Sequence, residues 1–236
     1  MKFTKNQKAI YFKDVIMGKP VLICGESGSG KSRSIKNLDP KSTFIINVNR
    51  KDLPFKGWKL KYTKFTKENK NGNMVLSDDP EKIIKTIQYI DNQRPEVNVG
   101  IIDDAQYIMA NEFMRRSKEK SFEKFTEIGE HYWKIIWECT LSRENMIWFF
   151  LSHVETNDKG ISKAKTIGKL LDDKICIEGM FTIVLNTLIE DGKYFFETQS
   201  NGSNTSKSPE GMFEEIRIPN DLEFVKNQII KYEKEA

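Results

Sequence analysis

The chain has 236 residues and a net charge of +4, with 31% charged residues of both signs interspersed. This length suits one domain with a sizeable apolar core, and so small a net charge does not by itself imply a nucleic-acid partner. Cys24, Cys139 and Cys176 are odd in number and fall in apolar stretches, which predicts reduced core residues. The longest apolar run, residues 146–151, is too short to cross a bilayer. We therefore expect a cytoplasmic protein with no membrane partner.

The most specific motif spans residues 25–32, directly after the apolar run from Val21 to Cys24. Its sequence, Gly-Glu-Ser-Gly-Ser-Gly-Lys-Ser, matches the phosphate-binding loop G-x-x-x-x-G-K-[ST]. The glycines allow the backbone to curl around a phosphate, while Lys31 would reach the β- and γ-phosphates and Ser32 would bind Mg²⁺. A helix starting here would direct its positive end at the same phosphates. The predicted nucleotide-contacting residues are Gly25, Glu26, Ser27, Gly28, Ser29, Gly30, Lys31, Ser32 and Arg33.

Further apolar runs alternate with helical patterns along the chain. Residues 43–48, 97–102 and 146–151 are β-branched or aromatic runs, which is typical of buried parallel strands. One helix is expected after Asp79-Pro80, where isoleucines recur at helical spacing, and a longer one over residues 121–141. Alternating strands and helices indicate an α/β fold with a mostly parallel sheet flanked by helices.

The C-terminal third has a different pattern. Asp191-Gly192 lies between two β-rich runs, which predicts an antiparallel hairpin. A polar stretch, residues 199–209, precedes a terminal helix that we expect to be capped by Asn220, with Glu223 three residues later. No repeat or linker divides the chain, so we predict one domain: an extension at residues 1–18, a core at 19–200, and a polar loop with the terminal helix at 201–236.

Two acids follow the second of these buried runs. An aliphatic strand ending in acid is the Walker B pattern, in which Asp103 would hold Mg²⁺ opposite Ser32. The adjacent Asp104 has two interpretations. It could act as the general base that polarises the attacking water, or it could cap a helix beginning at Ala105.

The third strand ends in Ser152 and His153. Ligands bind at the carboxyl ends of parallel strands, so either side chain could sense the γ-phosphate. The lysine-rich segment from Thr156 to Lys174 follows, and we expect a long mobile loop there that could grip a polyanion in only one nucleotide state. Its predicted DNA contacts are Lys163, Lys165 and Lys169, with a solvated loop as the alternative.

A second lysine-rich stretch, residues 56–70, is interleaved with aromatic residues. Such a mixture suits a phosphate backbone with stacked bases. Its period-two alternation also suits a strand, with Trp58, Leu60 and Tyr62 facing the core and Lys59 and Lys61 facing water. The alternation favours the strand.

The phosphate loop, the Ile-Ile-Asp-Asp strand, the Leu-Ser-His strand, the basic loop and the late hairpin together resemble the RecA-like core of ATPases. The chain looks most like the short phage-encoded AAA-family ATPases, some of which are related to single-domain RecA/Rad-type recombination proteins. Further segments that resemble this group are residues 44–48, 53–56, 207–213 and 218–222.

The resemblance implies a Mg²⁺-dependent ATPase of phage DNA recombination or replication, with ATP as its nucleotide. It also implies single-stranded DNA binding, a homo-oligomer, and a single-strand-binding or replication protein as partner. Lys207 would act in trans on the neighbouring subunit's γ-phosphate, unless it is a solvated surface lysine. The chain departs from RecA proteins in lacking a Glu after the second strand and a separate polymerisation element. The alternatives are an AAA+ helicase loader, a small-molecule phosphotransferase and an ATP-binding switch.

Overall fold

A computed structural model describes residues 17–158, 160–168 and 175–235 of the chain. It has a mixed α/β fold in which helices flank a mostly parallel nine-stranded sheet. The strands are β1 (Lys19–Gly25), β2 (Thr43–Asn47), β3 (Met74–Leu76), β4 (Val99–Asp103), β5 (Ile147–Thr156), β6 (Ser162–Ala164), β7 (Ile183–Glu190), β8 (Lys193–Glu197) and β9 (Arg217–Pro219).

The main path of the sheet runs in the order β3-β2-β4-β5-β1-β7-β8-β9. Strands β3 to β7 of this path are parallel, whereas β8 and β9 are antiparallel additions at one edge. Asp191 and Gly192 both have positive φ in the β7–β8 turn, as two-residue hairpin turns of this type require. The predicted parallel sheet and hairpin are therefore confirmed, with β7 belonging to both.

Five α-helices and two 3₁₀ segments are described. The α-helices are α1 (Trp58–Lys61), α2 (Pro80–Gln93), α3 (Tyr107–Arg115), α4 (Glu123–Thr140) and α5 (Leu222–Glu235); the 3₁₀ segments are Ser32–Asn37 and Glu178–Met180. Helix α2 begins as predicted, because the Asp79 carboxylate accepts a hydrogen bond from the Lys82 backbone N–H and Pro80 opens the first turn.

The core has two layers, one on each face of the sheet. Leu22 and Cys24 of β1 face the layer of α2, α3 and α4, whereas Val21 and Ile23 face the layer of Ser32–Asn37 and α5. Because side chains alternate along a strand, burial on both faces requires apolar residues at successive positions. This explains why the central strands appear in the sequence as unbroken apolar runs.

Two helix starts differ from the sequence-based expectation. The segment after the phosphate loop is a 3₁₀ helix, Ser32–Asn37, rather than an α-helix. The terminal helix is capped by Asp221, whose carboxylate accepts from the Glu223 N–H, and not by Asn220. Asn220 instead packs against Gly30 of the phosphate loop.

The predicted strand around Trp58 is wrong. Residues 58–61 form one helical turn, α1, and Leu60 is 90% exposed instead of facing the core. Tyr62 is buried as predicted. Gly57 has a φ of +81° and starts this turn, so the chain leaves the extended conformation that the alternation suggested.

Within the described residues, the first part of the lysine-rich segment forms a hairpin with β5 instead of a loop. Strand β6 pairs with the end of β5, with Val154 opposite Ala164, and Lys163 forms an ion pair with Glu155 at 3.4 Å. Lys165 lies just after β6 and is exposed. Lys169, the third predicted DNA contact, lies outside the described residues.

The cysteines only partly follow the prediction. Cys24 and Cys139 are buried, as expected, but Cys176 is exposed. In the part of the chain that the structure describes, no helix combines the length and the apolar character that a membrane crossing requires.

Candidate active site

The carboxyl ends of β1, β4 and β5 converge on one cleft. Strand β5 lies between β1 and β4, and Gly25 is opposite His153 in the β1–β5 register. The cleft encloses about 360 Å³. It is lined by Ser27, Gly28, Gly30, Lys31, Ser32, Arg33, Lys51, Asp52, Pro54, Asp103, Asp104, His153 and Tyr194. The topology thus brings the predicted phosphate loop, both predicted acids and His153 together.

The phosphate loop curls around its own lysine. Gly28 and Gly30 have φ values of +77° and +99°, which residues with a β-carbon rarely adopt. The Lys31 ammonium donates to the carbonyl oxygens of Gly25 and Glu26, both at 2.8 Å. Burial lowers the pKa of Lys31, and the nearby Asp104 and Asp103 carboxylates oppose that shift. Glu26 contributes its backbone carbonyl to this contact, and its side chain is exposed.

The loop is braced by β7, which the sequence did not indicate. The Thr187 hydroxyl donates to the Ser29 Oγ at 2.6 Å, and the Ser29 hydroxyl donates to the Glu26 carbonyl at 2.6 Å. A β-carbon at Gly25 would lie 1.7 Å from the Thr187 Oγ1. Glycine at position 25 is therefore required by the close approach of β7.

Ser32 and Asp103 form the closest link between the phosphate loop and β4. The Ser32 hydroxyl donates to the Asp103 Oδ1 at 2.7 Å, although the two residues are 71 positions apart. Asp103 is buried, and this burial raises its pKa to about 6, against the effect of the Ser32 hydrogen bond. A buried carboxylate beside a hydroxyl offers the oxygen ligands that Mg²⁺ prefers.

A pair of protein ligands, Ser32 and Asp103, is also enough for a nucleotide-bound Mg²⁺. Within residues 17–158, 160–168 and 175–235, no cluster of three or more His, Cys, Asp or Glu side chains is suited to a metal ion. Mg²⁺ at nucleotide sites is commonly held by one or two protein oxygens, with phosphate and water completing its shell. Ser32 and Asp103 suit that arrangement better than an all-protein cage.

Asp104 is held by three neighbours. Its Oδ2 accepts from the Asn49 amide and the Lys51 ammonium, each at 3.0 Å, and the His153 Nε2 lies 3.5 Å from its Oδ1. Burial alone would raise the pKa of Asp104, but the contacts with His153, Lys51 and Asn49 outweigh it and hold the pKa far below its usual range. The carboxylate is therefore ionised and fixed in orientation.

The cap interpretation of Asp104 is wrong. Helix α3 begins three residues later, at Tyr107, and has no side-chain cap. Asp104 instead adopts a φ of +62°, an uncommon conformation for a residue with a β-carbon. Such conformations concentrate at functional sites, where surrounding contacts hold them. The general-base interpretation of Asp104 stays a prediction.

His153 and Ser152 point to opposite sides of the sheet. His153 lines the cleft, its backbone N–H donates to the Gln106 Oε1 at 3.1 Å, and its ring packs edge-on against Tyr107. Ser152 is buried in the helical layer, facing Tyr132. Of the two candidate γ-phosphate sensors, only His153 is in the cleft.

One end of the cleft is aromatic. The Arg33 guanidinium stacks over the Tyr194 ring, 4.4 Å from its centroid, and a β-carbon at Gly30 would lie 2.7 Å from the same ring. Pro54 also lines the cleft. The cleft therefore combines charged groups with a flat, half-buried surface.

Lys207, Lys163 and Lys165 are not among the residues that line this cleft. The Lys207 backbone forms two hydrogen bonds with Val184 of β7, at 2.8 and 2.9 Å. Val184 is level with Leu22 in the middle of β1, below the strand ends that build the cleft. Lys163 and Lys165 are on or just beyond β6. The Lys165 backbone N–H donates to the His153 carbonyl at 2.9 Å, so β6 lies beside the cleft. The trans role of Lys207 stays a prediction.

Several contributors to the site were not predicted, among them Asn49, Lys51, Thr187 and Tyr194. Asn49 and Lys51 follow β2, which is a neighbour of β4, so the rule that parallel strands end at one edge could have pointed to them. Thr187 and Tyr194 flank the hairpin turn, and their roles depend on how the hairpin packs. No periodicity in the sequence carries that information.

Neither protein-family models nor curated proteins give a match to this sequence. The interpretation of the site therefore comes from its residues.

Proposed function

We propose that this chain is a Mg²⁺-dependent ATPase with a RecA-like P-loop core. One observation carries the proposal: the 2.7 Å hydrogen bond between Ser32 of the phosphate loop and Asp103 at the end of β4. A hydroxyl and a carboxylate in contact beside a glycine-rich loop are the protein groups that a nucleotide-bound Mg²⁺ requires. The sequence resemblance extends the proposal to phage DNA recombination or replication, with an oligomer as the active form.

Each group would have a defined task. Ser32 and Asp103 would hold the metal ion, whose charge would balance that developing on the phosphoryl oxygens. Lys31 would exchange its bonds to Gly25 and Glu26 for bonds to the nucleotide phosphates. Asp104, together with His153, would orient or polarise water on the side of the cleft opposite the loop.

The aromatic end of the cleft would take the nucleobase. Tyr194 supplies a flat face, and the Arg33 guanidinium can stack on an aromatic base as it does on the tyrosine ring. Arg33 directly follows Ser32 of the phosphate loop, and Tyr194 packs on Gly30 of that loop. This arrangement places a base-sized surface beside the phosphate-binding backbone.

The direct test is phosphate release from ATP by the purified chain, with Mg²⁺ or with EDTA, and with or without single-stranded DNA. We expect Mg²⁺-dependent production of ADP and phosphate. Tight ATP binding with no hydrolysis under any condition would support an ATP-binding switch instead. Loss of the γ-phosphate to an added acceptor, but not to water, would indicate a phosphotransferase.

Asp104→Asn is expected to slow hydrolysis about 10²-fold while ATP affinity changes only several-fold. The reason is that the substitution would disturb the groups around the attacking water and would leave the residues that bind the nucleotide in place. Single-turnover hydrolysis and fluorescent-nucleotide titration measure the two effects. Arg50→Gln is the matched control, because Arg50 lies beside Lys51 in sequence but pairs with Asp78.

The comparison with Lys51→Gln separates two roles for Asp104. An equal loss of rate in both variants would mean that Asp104 acts by positioning the Lys51 ammonium. A loss in Asp104→Asn alone would mean that the carboxylate acts on water. Rates near wild type in both would exclude this carboxylate from the chemistry.

Tyr194→Leu is expected to weaken ATP binding about tenfold, because stacking of a base on an aromatic ring is worth about 1–3 kcal/mol. Tyr194→Phe keeps the ring and is the control, with affinity near wild type. Binding of inorganic tripolyphosphate should be equal in the two variants. Equal ATP affinity in Tyr194→Leu and Tyr194→Phe would contradict the base platform.

A further inference from the structure

The lysine-rich stretch after β2 carries exposed side chains, and none of residues 56–70 lines the nucleotide cleft. Lys56, Lys59, Lys61, Lys64, Lys67 and Lys70 are all exposed, and Glu68 is the only acid between residues 56 and 70. Trp58 and Leu60 lie among these lysines on the helical turn α1. We call these eight side chains, six lysines with Trp58 and Leu60, the basic face.

The core accounts for only part of the apolar surface of this face. Leu60 is 90% exposed, and Trp58 is only partly buried against the layer of α5. The Lys59 ammonium lies 5.3 Å from the centroid of the Trp58 ring. A half-exposed indole between cations is a surface on which a base can stack while its phosphates meet ammonium groups.

Most of the cations on this face have no competing acid. Lys59 pairs with the exposed Asp52, and the Lys61 ammonium donates to the Lys36 carbonyl. Among the described residues, Lys56, Lys64, Lys67 and Lys70 form no ion pair. Their positive charge is therefore available to a polyanion, whose binding would release counterions.

The backbone beneath the face is fixed by side-chain hydrogen bonds. The Asn73 amide donates to the carbonyls of Pro40 and Lys61, at 2.8 and 3.1 Å, and the Asn69 amide donates to the Lys64 carbonyl at 2.9 Å. Tyr62 anchors the segment in the core. A pre-organised surface loses less conformational entropy when it binds a ligand.

We propose that the basic face binds single-stranded DNA. Lysines spaced two or three residues apart suit a phosphate backbone, and the exposed Trp58 and Leu60 suit unpaired bases, which a duplex keeps stacked inside. This inference rests on the proposed DNA role of the ATPase, and it assigns that role to residues 56–70 instead of the β5–β6 hairpin. The face adjoins the nucleotide cleft, because Asp52 and Pro54 line that cleft just before it.

The test is the salt dependence of oligothymidylate binding, followed by fluorescence anisotropy with the full chain. The slope of log K against log salt is negative, and the variant Lys56→Gln/Lys64→Gln/Lys67→Gln should reduce its magnitude by about 2, since each lost phosphate contact removes about 0.7. The control, Lys82→Gln/Lys118→Gln/Lys120→Gln, loses the same three charges from exposed positions on α2 and between α3 and α4. Its slope should match wild type.

Stacking is tested separately. Trp58→Leu should weaken oligothymidylate binding about tenfold, and Trp58→Phe should restore most of it. An unchanged slope in the basic-face triple variant would overturn the proposal. So would a slope whose magnitude is reduced only in Lys163→Gln/Lys165→Gln. Tighter binding of oligouridylate or of a duplex would overturn the assignment to single-stranded DNA.

ATP hydrolysis without DNA is measured on the same preparations, and every one of these variants should retain it. Hydrolysis by a wild-type chain that does not bind oligothymidylate would overturn this inference and leave the ATPase proposal intact. A chain that binds oligothymidylate through the basic face but neither binds nor hydrolyses ATP would overturn the ATPase proposal and support the DNA-binding role of the basic face.

Discussion

Lys31→Ala is expected to abolish detectable ATP hydrolysis, with a loss of at least about 10²-fold in rate. The Lys31 ammonium is buried in the phosphate loop between the carbonyls of Gly25 and Glu26, close to Asp103 and Asp104. No other ammonium is positioned inside the loop to replace it, within the residues that the structure describes. Phosphate release at saturating ATP and Mg²⁺ measures the loss.

The control for this prediction is Lys36→Ala, which removes an exposed lysine from the 3₁₀ segment that follows the loop. It should retain wild-type hydrolysis. The Lys31 variant should also remain folded, because removing a cation whose pKa is lowered by burial relieves a desolvation cost. A folded Lys31→Ala chain with near wild-type turnover would show that the phosphate loop is not the reaction site.

Asp103→Asn is expected to have two opposite effects: loss of Mg²⁺-dependent hydrolysis, and a gain in stability of the metal-free chain near pH 8. The first follows because asparagine is a neutral, weaker metal ligand. The second follows because burial makes ionised Asp103 costly in the folded chain, as its pKa of about 6 indicates. A residue that serves only the fold would not show this combination.

The pH range of the second effect follows from proton linkage. Between the ordinary value of 3.8 and the folded value of about 6, the folded chain keeps the Asp103 proton and the unfolded chain loses it. The stability of wild type relative to the variant therefore falls as the pH rises through this window. About two pKa units at 1.36 kcal/mol each give an upper bound of about 3 kcal/mol.

Urea unfolding in EDTA at pH 4 and pH 8 measures this difference. The free energy of unfolding of the variant, minus that of wild type, should be larger at pH 8 than at pH 4. Asp191→Asn, in the exposed hairpin turn, is the control for the same change of side chain at a site outside the cleft. A variant that hydrolyses ATP normally, or one whose stability relative to wild type is the same at both pH values, would contradict the environment assigned to Asp103.

The central sheet was predictable because its strands are buried on both faces. Each strand therefore contains an unbroken run without polar side chains, at residues 44–46, 99–102 and 147–151, which is typical of a buried parallel strand. The phosphate loop and Asp103 could be located by the same logic, because each directly follows or ends such a strand. The convergence of these strand ends is a consequence of parallel pairing.

The remaining features depend on contacts that a single sequence does not specify. The alternation of apolar and basic residues around Trp58 is compatible with a strand and with a short helical turn. The positive φ of Gly57 starts the helical turn, and the sequence pattern does not reveal it. From the sequence, Asp104 could cap a helix or contact other side chains. In the structure its carboxylate accepts from the ammonium of Lys51, which is 53 positions away in sequence. Strand β6 is three residues long and forms only by pairing with the end of β5. Local patterns are too short to predict such pairing.

The uneven burial of the cysteines makes the native chain suitable for selective labelling. The thiolate is the form that reacts with maleimides, and burial raises the pKa of the Cys24 and Cys139 thiols as well as blocking access to them. Cys176 is exposed, two residues before the 3₁₀ segment Glu178–Met180. A fluorophore can therefore be attached at this one position without adding or removing a cysteine, and its emission can report the response of the chain to nucleotide and to DNA.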